Sequence, residues 1–387
     1  MFNEIKNKDS EYVLHSYGRV NVAIESGHGS TAIDVNGKEY IDFTSGIGVN
    51  SLGYSNEKWA KAVSDQAQKI QHISNYYISP VATKLAETLS KASGMARMFF
   101  ANSGCEANEC AIKVARKFGT SKNANKIITM TNSFHGRTLT TLAATGQEVF
   151  HTQFLPLTEG FLHCDIHDID TLKSIATEDV CAIMLECIQG EGGVMPVEKE
   201  YLQAVRKLCD ERNILLIIDE VQTGVARTGK LFSFENAEIK PDVLTLAKGI
   251  GGGLPIGICL VAEKLKDIFV SSDHGSTFGA NPVCCAAALS VLEQVNTEEF
   301  LKEVCEKADY FKEKLLAMDG VDFVRGQGLM IGIGLKEKTA KDMLINCIDA
   351  GLLVLTAKDV VRFLPPLNIS YQEIDKGLEI FKTILEQ

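Results

Sequence analysis

The sequence predicts an α/β fold built on a mostly parallel central sheet, and three observations carry that prediction. Ile214 to Ile218 is an unbroken apolar, largely β-branched run too short for a helix, so it reads as a strand buried on both faces. Asp242 to Ala247, Lys126 to Met130 and Val180 to Leu185 repeat the pattern. Helical periodicity appears elsewhere, as in Glu106 to Phe118, where Ala111, Ile112, Ala115 and Phe118 share one face.

The 387 residues could bury one large core or two unequal domains. Hydrophobic residues make up 45% and charged residues 23%, a globular balance that excludes disorder as the main state. A net charge of -11 argues against a nucleic-acid groove or an anionic membrane surface as partner. No apolar stretch is long enough to span a bilayer, and the start, MFNEIKNKDSEYV, is too polar for a secretory signal. The expected compartment is the cytoplasm. Eleven cysteines show no C-x-x-C spacing, and several fall in apolar runs, so most are expected to be buried, reduced thiols. His163, Cys164 and His167 in LHCDIHD imitate a metal cluster but suit a polar loop, no H-E-x-x-H occurs, and no metal is expected.

Along the chain, Asn3 to Leu14 is a polar lead-in with weak helical character, and Val20 to Phe43 reads as short strands with a hairpin signal at Asn36-Gly37. Gly27-x-Gly29-x-x-Ala32 fits the loosest dinucleotide fingerprint, yet a strand follows where a helix is needed, which counts against a nicotinamide oxidoreductase. The glycine-rich Phe43 to Tyr54 enters a helical pattern over Asn56 to Gln71, and Pro80 opens another helix to about Ser93. Met98 to Ala101 reads as a strand, Asn102 to Cys105 as a tight turn, and Glu106 to Phe118 as a helix. A phosphate at that helix start would meet free backbone N–H groups and the Ser103 hydroxyl; the alternative is that Asn102 and Ser103 only cap the helix. The Lys126 strand leads to Ser133-Phe134-His135-Gly136-Arg137-Thr138, where an aromatic and an arginine suit a flat ring and a carboxylate, or else form a turn with a surface arginine.

The strongest pair comes next. The Ile214 run delivers Asp219, and the Asp242 run delivers Lys248. In an open α/β sheet, ligands sit at the carboxyl ends of the strands, so this carboxylate and this amine face one crevice. Singly, each is more often a cap or a solvated charge. A lysine ending an apolar strand is poorly solvated, which lowers its pKa and frees the amine. Pyridoxal phosphate needs both groups: a lysine for the Schiff base and a carboxylate to keep the pyridine nitrogen protonated. After Lys248, a glycine-rich turn runs to Gly257, without a G-K-[ST] phosphate loop. From Pro282 the chain reads as a helix to Gln294, a charged helix over Glu298 to Leu316, and a small αβ unit, with no linker, repeat or low-complexity tract.

DEVQTG, RTG, AKGIGGGLPIG, NSG-x-EANE, SFHGRT, IQGEGG and GSTFGANP together resemble class III, fold-type I aminotransferases, and the resemblance covers nearly the whole chain. It implies a pyridoxal phosphate enzyme with a large cofactor domain (46–281) and a smaller α+β domain formed by both chain ends (1–45 and 282–387). By that resemblance Asp219 pairs with the pyridine nitrogen, Gln222 with the ring hydroxyl, and Lys248 forms the Schiff base. Ser103, Gly104 and Cys105 hold the phosphate, and Phe134 stacks on the ring. Arg137 offers a fork to the substrate carboxylate, with Tyr17 and Ser276 near the substrate. Glu191 pairs with Arg362, either as a movable mask that admits two substrates or as a fixed bridge. Thr277 reaches the phosphate of a neighbouring subunit, which makes a homodimer with shared sites the expected assembly. Cys105 stands where the family commonly has threonine, Cys187 where it has proline, and Gly53-Tyr54 where it has Gly-His. Ile47 occupies a turn that tends to carry an aromatic in relatives using free ornithine. On ANSG-x-EANE, SFHGRT, AKGIGGGLPIG and Ile47, the resemblance implies ping-pong transfer from N2-acetylornithine to 2-oxoglutarate, with succinylornithine, ornithine and 4-aminobutyrate as alternative donors.

Overall fold

A computed structural model describes residues 1–387. The predicted buried runs assemble into one seven-stranded sheet in the order Arg97–Ala101, Gly257–Val261, Val243–Leu246, Leu215–Asp219, Val180–Leu185, Lys126–Met130, Phe161–Cys164. All pairings are parallel except the two made by Gly257–Val261. The unbroken apolar character of the central strands follows from burial on both faces. Leu215, Ile217, Ala182, Ile127 and Val243 pack under the Gly104–Gly119 helix through Ala111, Ile112 and Ala115, while Leu216, Ile218, Ile183, Ile128 and Leu244 enter the larger core on the other face. Each such Leu or Ile contributes about 2 kcal/mol by leaving water.

The two chain ends meet. Ile24–His28, Thr31–Asp34 and Glu39–Asp42 form an antiparallel meander, and Leu352–Leu353 joins it in parallel, Leu352 opposite Ile41. At the predicted hairpin Gly37 takes φ +83°, and Asp34 Oδ1 accepts from the N–H groups of Asn36 and Lys38. A third sheet, Val321–Gln327, Met330–Leu335, Val360–Phe363 and Leu355–Ala357, carries Arg362. Phe43 touches Phe311 and Phe363 with ring centroids 5.2 and 4.9 Å apart, tying the early chain to the late one.

Three local expectations need correction. LHCDIHD is not all loop: Phe161–Cys164 is the edge strand beside Lys126–Met130, with His163 bonded to Thr129 Oγ1 at 2.8 Å and Cys164 turned inward. An edge strand needs only one buried face, so its polar residues hid it. Gly257–Val261, read only as the end of a glycine-rich turn and an apolar run, is an internal antiparallel strand. The phosphate-side helix starts at Gly104, two residues before the expected start, because Ser103 is its N-cap.

Candidate active site

Asp219 ends the Leu215–Asp219 strand, and Lys248 follows the neighbouring Val243–Leu246 strand, whose Thr245 lies opposite Asp219. Both side chains line one cavity of about 370 Å³, with Ser103, Gly104, Cys105, Phe134, Glu191 and Gln222. Eight of the thirteen sequence-predicted site residues therefore converge on it.

Asp219 is only 3% exposed. Its Oδ2 accepts from Asn108 Nδ2 and from His135 Nδ1, each at 2.8 Å, while Oδ1 accepts the Val221 N–H at 3.0 Å. Asn108 also donates to the His135 carbonyl, and the His135 N–H donates to Thr145 Oγ1. The network assigns the ring proton to Nδ1, since the carboxylate can only accept. Sequence reasoning singled out neither Asn108 nor His135. Both lay inside noted motifs, EANE and SFHGRT, as polar residues buried without an assigned task, but their joint grip on Asp219 exists only after folding.

Lys248 takes φ +48°, a left-handed backbone that a non-glycine residue adopts at a cost of about 1–3 kcal/mol. The residue is partly exposed, and that exposure opens into the cavity it lines. Burial lowers its amine below the ordinary lysine value; the nearby Glu191 and Asp219 carboxylates pull upward and are outweighed. Glu186 also lines the cavity, accepting from the N–H groups of Phe134 and Gly190, and burial pushes its carboxyl up to about 7.

At the opposite end, Ser103 caps the Gly104–Gly119 helix: its Oγ accepts the Glu106 N–H at 3.2 Å and donates to Glu106 Oε2 at 3.1 Å. The capping alternative is thus realised, and it coexists with a helix start whose first two residues, Gly104 and Cys105, line the cavity and have no acceptor in the helix for their N–H groups. A Cβ on Gly104 would lie 2.8 Å from Val221 Cγ1, so the turn can pass this close only as glycine. Cys105 Sγ accepts the Arg137 N–H at 3.2 Å.

At the rim, Arg362 Nη1 meets Glu191 Oε1 at 2.7 Å and Gln222 Oε1 at 3.3 Å. Burial raises the Glu191 carboxyl most, but Arg362, with Lys248 and Gln222, together outweigh it and leave the pKa below the ordinary value. Arg362 and Arg137 lie outside the cavity wall proper: the first is buried behind Glu191, and the second is exposed, its Cζ 3.9 Å from the Phe150 ring centroid and 5.2 Å from that of Phe134. Ser276 is tied to the phosphate turn by Asn102 Nδ2 at 3.1 Å without lining the cavity. Tyr17 is not brought to the site; it is 75% exposed in a cleft of the N-terminal segment. Thr277 is exposed and touches nothing in this cavity. Ile47 sits at φ +65° in a run of left-handed residues, Ser45 to Gly48, just before the cavity-lining Val49.

The aminotransferase class-III family matches residues 12–385. An acetylornithine aminotransferase of Haemophilus ducreyi is 47% identical over 390 residues, covering 100% of this chain and 99% of the relative. One of Aquifex aeolicus is 44% identical, covering 97% of this chain and 100% of its own. Among solved structures, an N-acetylornithine aminotransferase from Stenotrophomonas maltophilia superposes with a TM-score of 0.85 at 36% identity, covering 97% of each chain. An ornithine aminotransferase from Toxoplasma gondii, with pyridoxal phosphate at partial occupancy in its active site, superposes at 0.94 and 29% identity over 100% of this chain and 94% of its own. The motifs, the sheet and the matched length agree: this chain belongs to the class-III aminotransferases, pyridoxal phosphate enzymes that move amino groups.

Proposed function

We propose that the chain moves the terminal amine of N2-acetyl-L-ornithine to 2-oxoglutarate, giving N-acetyl-L-glutamate 5-semialdehyde and L-glutamate. The observation that carries the reading is Asp219 and Lys248, delivered by adjacent strands to one cavity, in a chain 47% identical over its full length to an acetylornithine aminotransferase.

The residues fit the cofactor. Asp219 presents an anchored carboxylate to the cavity, and Asn108 Oδ1 and His135 Nε2 are buried there without partners. The close turn at Gly104 and the helix start behind Ser103 suit a phosphate. Asp219 would hold the ring nitrogen, Gln222 the ring hydroxyl, Phe134 the ring face, and Ser103, Gly104 and Cys105 the phosphate. When bound, pyridoxal phosphate supplies an aldehyde for the amino group and a protonated ring that draws off electron density. Lys248, its pKa lowered by enclosure, takes the proton from the substrate carbon that bears the amine. Arg137 has no ion pair within the chain and would take the substrate carboxylate. Glu191 covers Arg362 for the amine donor and releases it to the second carboxylate of 2-oxoglutarate or glutamate. Tyr17, Ser276 and Thr277 complete the site across a homodimer, a reading supported by the exposed Tyr17, Tyr76, Ile78 and Phe278 side chains. Eleven free thiols suit a cytoplasmic, reducing compartment.

The test is the absorbance of the cofactor-loaded enzyme given N2-acetylornithine without keto acid. Loss of the visible cofactor band, restored by 2-oxoglutarate, is the expected result. A response confined to succinylornithine, ornithine or 4-aminobutyrate would move the substrate reading to that compound.

A further inference from the structure

Of the two rim arginines, Arg137 and Arg362, Arg137 is the one whose guanidinium has no carboxylate partner. Its side chain forms no ion pair, whereas Arg362 is held by Glu191. What holds Arg137 is a corner of two rings. Its Cζ lies 3.9 Å from the Phe150 centroid and 5.2 Å from the Phe134 centroid, and the two rings meet edge to face at 6.1 Å and 82°. Phe150 comes from the short 3-10 turn Glu148–Phe150, pinned from behind by His151, whose Nε2 bonds the Leu142 and Thr145 carbonyls at 2.9 and 2.7 Å. An arginine stacked by its face keeps its N–H edges free, and it loses less side-chain freedom when an anion arrives. Phe134 is already committed to the cavity; Phe150 is not part of its wall.

We infer that Phe150 is a positioning residue for substrate recognition: its ring braces the Arg137 guanidinium as a preformed fork for the carboxylate that both substrates carry. The inference rests on the reading of Arg137 as the carboxylate site. It gives Phe150 an effect on affinity rather than on proton transfer, because the ring touches neither Lys248 nor Asp219. It also makes the two residues act as a unit.

The experiment compares Phe150→Leu and Phe150→Trp holoenzymes with wild type, reading KM for both substrates, kcat, thermal midpoint, and calorimetric binding of glutarate, a dicarboxylate with neither amine nor keto group. Phe150→Leu is expected to raise both KM values and the glutarate Kd about 3- to 30-fold, the range for losing a cation–π contact. Its kcat should stay within about twofold of wild type, while Phe150→Trp should keep wild-type affinity. In an Arg137→Ala background, Phe150→Leu should have no further effect on glutarate. Unchanged glutarate binding in Phe150→Leu overturns the brace. So does an equal fall in kcat and thermal midpoint in both variants, which would mark mere packing. If wild type itself fails the half-reaction with every ω-amino donor, the functional reading falls instead, and the glutarate cycle still judges the Phe150–Arg137 pair.

Discussion

The floor of the cavity and its rim are built on opposite principles. At the floor, Asp219 is 3% exposed and takes three hydrogen bonds from three separate elements, so it has one position. At the rim, Glu191 keeps 31% of its side chain exposed and shares Arg362 with Gln222, while Arg137 stands free of any carboxylate. A fixed floor suits a cofactor that never leaves, and an adjustable rim suits two substrates that alternate. The contrast teaches where mutations should act: floor changes should lower kcat for both half-reactions, and rim changes should alter the balance between them.

The largest effect is expected from Asp219→Ala, which removes the charge serving the ring and leaves His135 and Asn108 without their shared acceptor. kcat should fall about 100- to 1,000-fold in both half-reactions, as for loss of one preorganised electrostatic group. Stopped-flow spectra of each half-reaction measure this, and a loss confined to one substrate would break the comparison.

At the rim, Glu191→Gln should remove the charge that masks Arg362 and leave only neutral acceptors beside it. The ratio of KM for N2-acetylornithine to KM for 2-oxoglutarate should rise about fivefold, the scale of a partly exposed ion pair. Parallel changes in both KM values, with a lower thermal midpoint, would instead make Glu191–Arg362 a fixed bridge.

The smallest effect concerns stability. Glu186 is held near 7 in the fold against 4.5 for an ordinary glutamate, so between those values the folded state binds more protons than the unfolded one. A raised carboxyl pKa contributes stability below about pH 4.5 that is lost as pH rises through 7. The cofactor-free wild type should therefore lose thermal stability from pH 5 to pH 8, and Glu186→Gln should flatten that slope. Parallel melting curves for the two proteins would show that Glu186 does not titrate in this window.

The floor was legible where short apolar runs end in a charged residue: the Leu215–Asp219 strand and the strand before Lys248 appear in the sequence almost with their boundaries, because burial on both faces leaves no polar residue to blur them. The grip of Asn108 and His135 on Asp219 was not legible, since it joins positions 27 to 111 residues apart through tertiary packing alone. Phe150 escaped for the same reason, being one aromatic in a polar stretch. The Phe161–Cys164 edge strand was obscured by its own histidine and cysteine, which an edge tolerates. Tyr17 and Thr277 were named by resemblance, and a single chain leaves them exposed.

The most direct test of the central claim is to reduce the cofactor-loaded enzyme with borohydride and map the modified peptide by mass. The account predicts the cofactor fixed at Lys248 alone. A label on any other lysine, or none on an enzyme that carries the visible band, would contradict it.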